Sequence, residues 1–277
     1  MGPIVLAPPY GSPANDMTLL PGQPALRLGL RDPEVGNWQR FLNAENIRDR
    51  DGRALFVDEH FGPRTDYASM TFQKAHGLVA DSIVGPKTRG VATALGFIEF
   101  VQAKNYTNLT TGMKRPANLI VLHTAECLET PTAAENVALW FAGRTAYVPP
   151  MASAHFCVDL DSVVQSVRTR DIAWHAKQVN PQSIGIEHSG FARQTALEWR
   201  DDYSRRTLER SARLTRALAD EHSIPIRRLT SDEIRSKMSG FCGHVDVTNA
   251  YDGGSGHWDP GPQFPWDEYL ELVRRAI

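Results

Sequence analysis

"NLIVLH", Asn118–His123, is the stretch on which the fold turns. Leu119, Ile120, Val121 and Leu122 run without polar alternation, the pattern of a central strand covered on both faces. The run ends on His123, where a strand's C-terminal end opens to solvent. Outward from it, "QSIGIEHSG" (Gln182–Gly190) reads as a second buried strand. Ile184 and Ile186 share one face of it, Gly185 and Glu187 the other. "SAHFCVDLDSVVQSVR" (Ser153–Arg168) alternates, with Phe156, Val158 and Leu160 against His155, Cys157 and Asp159; an Asp-Ser turn leads into another strand. Helical periodicity covers Thr195–Ser223, with Leu197, Leu208, Ala212, Thr215 and Ala219 as its stripe and Pro225 as its stop. Further helices are expected near Asp232–Ser239 and over Trp266–Arg275. The fold class is α/β: a mixed central β-sheet flanked by helices.

"GHVDVTNAYDGGSGHWDPGPQFPW" (Gly243–Trp266) reads as a loop rich in Gly and Pro, yet it holds His244, His257 and Asp259 close together. A hydrolytic zinc centre takes three protein ligands, usually His and carboxylate, and keeps one position open for water. His123, His244 and Asp259 are competent for such a set. Taken singly, a strand-end His is more often a hydrogen-bonded core residue, and an Asp before Pro-Gly a turn former. Their combination shifts the odds toward a metal.

The N-terminal third is organised differently. Residues 1–30 are rich in Pro and Gly and read as an extended arm. Asp32-Pro33 then supplies a helix start, followed by Val35, Trp38, Phe41 and Leu42 at helical spacing. "DEHFGPRT" (Asp58–Thr65) recurs as "DSIVGPKT" (Asp81–Thr88), a turn in which Gly takes the awkward φ and Pro opens a helix. The helix after the first copy is expected to pack through Tyr67, Thr71, Phe72 and Ala75. The boundaries expected are a small three-helix module over 31–95, a linker over 96–112 and a second domain over 113–277.

Charge gives no support to a nucleic-acid partner: the 277 residues carry 30 basic and 32 acidic side chains, a net −2. Three cysteines, Cys127, Cys157 and Cys242, form no CxxC pair, so a disulfide scaffold is not expected, although a Cys127–Cys157 bridge stays open. No stretch of about 18 apolar residues is present, so no membrane insertion is expected. The first residues lack a basic n-region and a long apolar run, so no signal peptide is expected.

The segment 31–95 resembles the peptidoglycan-binding domain of the three-helix type, through "GNWQRFLN", "FGPRTDYASMTFQKAHGL" and "DSIVGPKT". One departure is Glu59, where that family often has glycine. Residues from about Asn118 to Trp266 resemble the zinc-dependent N-acetylmuramoyl-L-alanine amidases that share the peptidoglycan-recognition-protein fold. The matching pieces are "NLIVLHTAE", "SAHFCVDLDSVVQSV", "AWHAKQVNPQSIGIEHSG", "GHVDV" and "HWDPGPQFPW". The resemblance implies one zinc ion on His123, His244 and Asp259. It implies Glu187 as the group that accepts the proton of the zinc water or orients it, and His257 as a donor to the oxyanion. It implies His175 on the groove floor, contacting substrate. Cys242 does not stand at the matching ligand position.

The function implied is cleavage of the amide between N-acetylmuramic acid and L-alanine in bacterial peptidoglycan. The pairing of domains without a signal peptide implies a phage endolysin, made in the host cytoplasm, released through a phage-encoded pore and acting as a monomer. A non-catalytic peptidoglycan receptor on the same fold, a host autolysin and a wall-recycling amidase are the alternatives.

Overall fold

The computed structural model describes residues 24–109, 115–254 and 256–276. They divide into two compact units, with the boundary between Phe100 and Val101.

The first unit holds helices α1 (Pro33–Ala44), α2 (Pro63–Ala75) and α3 (Pro86–Ala94), and ends on the short strand β1 (Glu99–Phe100). Each helix opens with proline, whose missing N–H costs nothing in a first turn. Asp32 caps α1, its carboxylate accepting the Glu34 N–H at 2.9 Å. The two repeat turns are held in the same way, each by one buried glutamine. Gln39 Nε2 donates to Asp58 Oδ1, His60 O and Thr65 Oγ1; Gln73 Nε2 donates to Asp81 Oδ1, Ile83 O and Thr88 Oγ1. Glu59 and Ser82, the residues after the two aspartates, both have left-handed backbones, φ 58° and 59°. That conformation explains why a glycine suits the Glu59 position. Trp38, Phe41, Phe72 and Phe97 pack together at the centre. Phe72 is buried as expected, but the rest of the buried face of α2 is Thr65, Ala68, Ser69 and Gln73, with Tyr67, Thr71 and Ala75 off it. Polar side chains take the inner positions because Gln73 clips the second turn and Ser69 receives the Trp38 indole N–H at 2.8 Å.

Two boundaries also shift. Residues 1–23 of the expected arm lie outside the described residues, but Leu26 is fully buried in the helical core and bridges to Val84. Of the expected linker, Phe97 belongs to that same core. Val101 and Ala103 donate to Gln165 and Ser166 of the second unit, and β2 (Tyr106–Thr107) pairs with β6 (Ile172–Ala173). Both stretches carry apolar residues that a solvated linker would leave exposed.

In the second unit, five strands run in the order β5 (Val163–Gln165), β4 (Phe156–Val158), β7 (Ser183–His188), β3 (Leu119–Thr124) and β8 (Gly240–Gly243). β3 pairs in parallel with β7 and β8, and β7 with β4; β4 and β5 form the antiparallel hairpin. The sheet is therefore mixed, with β3 paired on both sides, by β7 and β8, and buried at every residue. One face of β3 contributes Leu119 and Val121 to a core with Leu229, Ile234, Val247 and Ala250. That core includes α6 (Ser231–Arg235) and α7 (His244–Tyr251). α4 (Ala133–Phe141), α5 (Asp202–His222) and α8 (Trp266–Arg275) complete the layers. α5 begins later than its periodicity predicts. Asp201 caps it by accepting the Ser204 N–H, a 3₁₀ turn (Glu198–Arg200) precedes it, and Leu197 is exposed while Leu208, Ala212, Thr215 and Ala219 are buried. All three cysteines are free thiols. None of the described helices is long and apolar enough to cross a membrane.

Candidate metal centre

Parallel pairing sends the C-terminal ends of β3, β7 and β8 to one edge of the sheet. His123 lies there, one residue from the end of β3, directly opposite Glu187 on β7. Residues in register share a face, so both side chains stand over the same side of the sheet. β8 ends at Gly243, and His244 starts α7. The stretch read as a loop is thus a strand end and a helix before it becomes irregular.

Asp259 comes to these histidines because the backbone is locked on both sides of it. The Val245 N–H donates to the Asp259 carbonyl at 2.9 Å. A Cβ on Gly243 would lie 2.6 Å from Pro260 Cδ, and one on Gly261 would lie 1.8 Å from the Ala192 carbonyl oxygen. Only glycine permits these approaches. His123, His244 and Asp259, all buried, then offer one ligand atom each, all within 4.8 Å of one another.

The local chemistry fits a cation. Asp259 Oδ2 lies 2.8 Å from His123 Nδ1, and Oδ1 lies 3.4 Å from His244 Nδ1. Burial pushes the Asp259 carboxyl up, but the facing His123 and His244 rings outweigh it and hold it well below the usual carboxylate range. Burial pushes His244 down, which leaves its imidazole neutral, the form that ligates metal. Glu187 is half-buried, and its Oε2 has no hydrogen-bond partner. Burial, then the charges of Asp259 and Glu126, push its carboxyl well up. A buried, unpaired carboxylate oxygen beside three converging donors is suited to water or a reacting proton.

His257 is exposed and stacks on His244, ring centroids 4.1 Å apart and 11° between planes, with Nδ1 3.7 Å from Asp259 Oδ1. It stands at the rim, free to reach an outside ligand. His175, expected on the groove floor, stands beside His123. It is buried, and both ring nitrogens are engaged: Nδ1 with His123 Nε2 and Nε2 with Ser183 Oγ, each at 3.0 Å.

Some contributors went unread in the sequence. His188 sits behind His123, its Nδ1 donating to the His123 carbonyl at 3.0 Å and its Nε2 meeting Ser211 Oγ at 2.7 Å. Ser183 shares the face of Gly185 and Glu187, and the period of two along "SIGIE" was the signal that could have found it.

Residues 113–262 match the N-acetylmuramoyl-L-alanine amidase family. N-acetylmuramoyl-L-alanine amidase A of Achromobacter lyticus is 28% identical over 167 residues, covering 56% of this chain and 81% of that protein. Among solved structures, a mutant endolysin from Bacillus subtilis aligns at 18% identity with a TM-score of 0.42, covering 64% of this chain and 97% of that one. The Staphylococcus aureus hydrolase AmiA, in complex with its ligand, aligns at 16% identity with a TM-score of 0.40, covering 62% and 84%. The family match spans more than half of the sequence and contains every residue of the converging cluster, and so the chain belongs to the N-acetylmuramoyl-L-alanine amidases.

Proposed function

We propose that this peptidoglycan amidase works through one zinc ion held by His123, His244 and Asp259. The observation that carries the reading is the convergence of those donors within 4.8 Å from three separate segments. Two imidazoles and one carboxylate form the three-ligand set of a hydrolytic zinc site. Zinc bound there supplies a water of lowered pKa, about 7, and a polarised carbonyl. Glu187 accepts the proton of the attacking water, or orients that water, and returns a proton to the departing L-alanine amine. Its unpaired Oε2 and raised pKa suit a group that holds a proton mid-reaction. His257, exposed at the rim, donates a hydrogen bond to the carbonyl oxygen as negative charge develops.

The bond cut is the amide between the lactyl group of N-acetylmuramic acid and L-alanine. The first unit acts as a wall anchor, a peptidoglycan-binding module that raises the local concentration of cleavable bonds. Its support is the paired Gly-Pro turns, each clipped by an equivalent glutamine. An anchor of this kind serves an enzyme that works on intact walls, which favours a lytic, endolysin-like role over the recycling of soluble fragments.

Mass spectrometry of digested walls, with and without a chelator, tests the reading. Stem peptides beginning with L-alanine should appear, vanish on chelation and return with zinc. Full activity after complete metal removal would refute the zinc assignment, and fragments cut inside the stem peptide would refute the bond.

A further inference from the structure

The His175 ring lies on the sheet face shared by Ser183, Gly185 and Glu187. Three features fix it there. Its backbone N–H and that of Ala176 donate to Asn180 Oδ1 at 3.1 and 2.6 Å. Its ring covers Gly185 so closely that a Cβ there would sit 2.6 Å from His175 Cγ and Nδ1. Its Nε2 meets Ser183 Oγ at 3.0 Å.

The donor directions along this line follow from Ser183, which has one hydroxyl proton. The Val179 carbonyl, 2.8 Å from Ser183 Oγ, can only accept, so the proton goes there. Toward His175 the hydroxyl oxygen must then accept, and His175 Nε2 must carry a hydrogen. For a metal on His123 Nδ1, that imidazole is neutral and bears its hydrogen on Nε2. That hydrogen points at His175 Nδ1, 3.0 Å away, which must be the bare nitrogen. The two requirements, derived from opposite ends, agree on one tautomer for His175. Ser183 is itself held, since its carbonyl accepts from Arg115 at 2.6 Å.

We propose that Ser183 and His175 form a positioning relay that locks the His123 ring with its Nδ1 lone pair toward the metal, and that His175 does not bind substrate. The inference rests on the assignment of His123, His244 and Asp259 as metal ligands. Partners behind a ligating histidine generally alter metal affinity by about 10–100-fold.

The test is zinc affinity of the full chain, measured by competition with a chromophoric chelator, together with ¹⁵N NMR of the histidine rings. Wild type should bind one zinc and show His175 as a single Nε2–H tautomer. Ser183→Ala should bind zinc about 10-fold more weakly or worse and show mixed tautomers. Gly185→Ala, which displaces the ring directly, should lose affinity in the same direction. If Ser183→Ala fails to fold, the wild-type spectrum decides, because an Nδ1–H tautomer in the zinc-loaded protein overturns the relay. Wild-type zinc affinity in Ser183→Ala with a raised KM also overturns it, in favour of substrate contact. A wild-type chain that takes up no zinc sinks the metal assignment itself and the relay with it.

Discussion

Gly261→Ala is the sharpest probe of how the centre is assembled. The added Cβ would lie 1.8 Å from the Ala192 carbonyl oxygen, and real contacts do not fall below 3.0 Å. The Asp259 segment and the Phe191–Gln194 turn must therefore part by more than about 1 Å, a shift inside a close-packed region. Gly261 also has φ 95°. The left-handed backbone costs an alanine about 1–2 kcal/mol, and forced overpacking costs a further ~1–3 kcal/mol. Gly253→Ala is the control, because its φ is 64° and nothing lies within 4 Å of its would-be Cβ. It should lose only the backbone term, roughly 1 kcal/mol, part of which is offset by a stiffer unfolded chain. Urea unfolding of both variants should separate them by about 2 kcal/mol. Because Asp259 lies two residues away, Gly261→Ala should also weaken zinc binding and lower kcat by up to about 10²-fold, the scale of a 1 Å misplacement. Equal stability of the two variants, with wild-type zinc affinity in both, would refute the argument that this close approach sets Asp259.

Other outcomes follow from the same geometry. His257→Ala should retain zinc, measured by metal analysis, while kcat falls about 10²–10³-fold; His123→Ala should lose metal and activity together. His155 is buried, its Nδ1 accepting the Gly185 N–H at 3.0 Å, and burial followed by the Arg115 charge pushes its pKa well below 6.5. Its folded pKa lies below the unfolded one, so its contribution to stability is full above about 6.5 and is lost as pH falls toward the folded value. The pH slope of unfolding between 7 and 5 should flatten in His155→Gln by at most about 1.4 kcal/mol per unit, one proton's worth. Trp38→Ala empties the centre of the first unit, at a cost of about 3–5 kcal/mol. Calorimetry should show an early transition, and turnover of whole walls should fall while turnover of a soluble muropeptide holds.

Local pattern made much of this protein legible. The unbroken apolar run Leu119–Leu122 could only be a buried strand, and β3 is one. Trp266–Arg275 is the helix expected there. Asp32-Pro33 and the two Gly-Pro turns announced their helices because capping and proline geometry act over a few residues. The Gly243–Trp266 stretch was harder, since its glycines and prolines mask a strand end and a helix that tertiary packing stabilises.

The sequence by itself determined which side chains could do chemistry and roughly which elements carry them, because residue type and short-range spacing are written in the chain. Tertiary structure alone decided which nitrogen of His123 faces Asp259, why a side chain on Gly243 or Gly261 would meet its neighbours, and that His175 turns inward to Ser183 while His257 faces outward. Those outcomes depend on distances between segments tens of residues apart, and such distances are set by packing and hydrogen-bond closure, which no local pattern encodes.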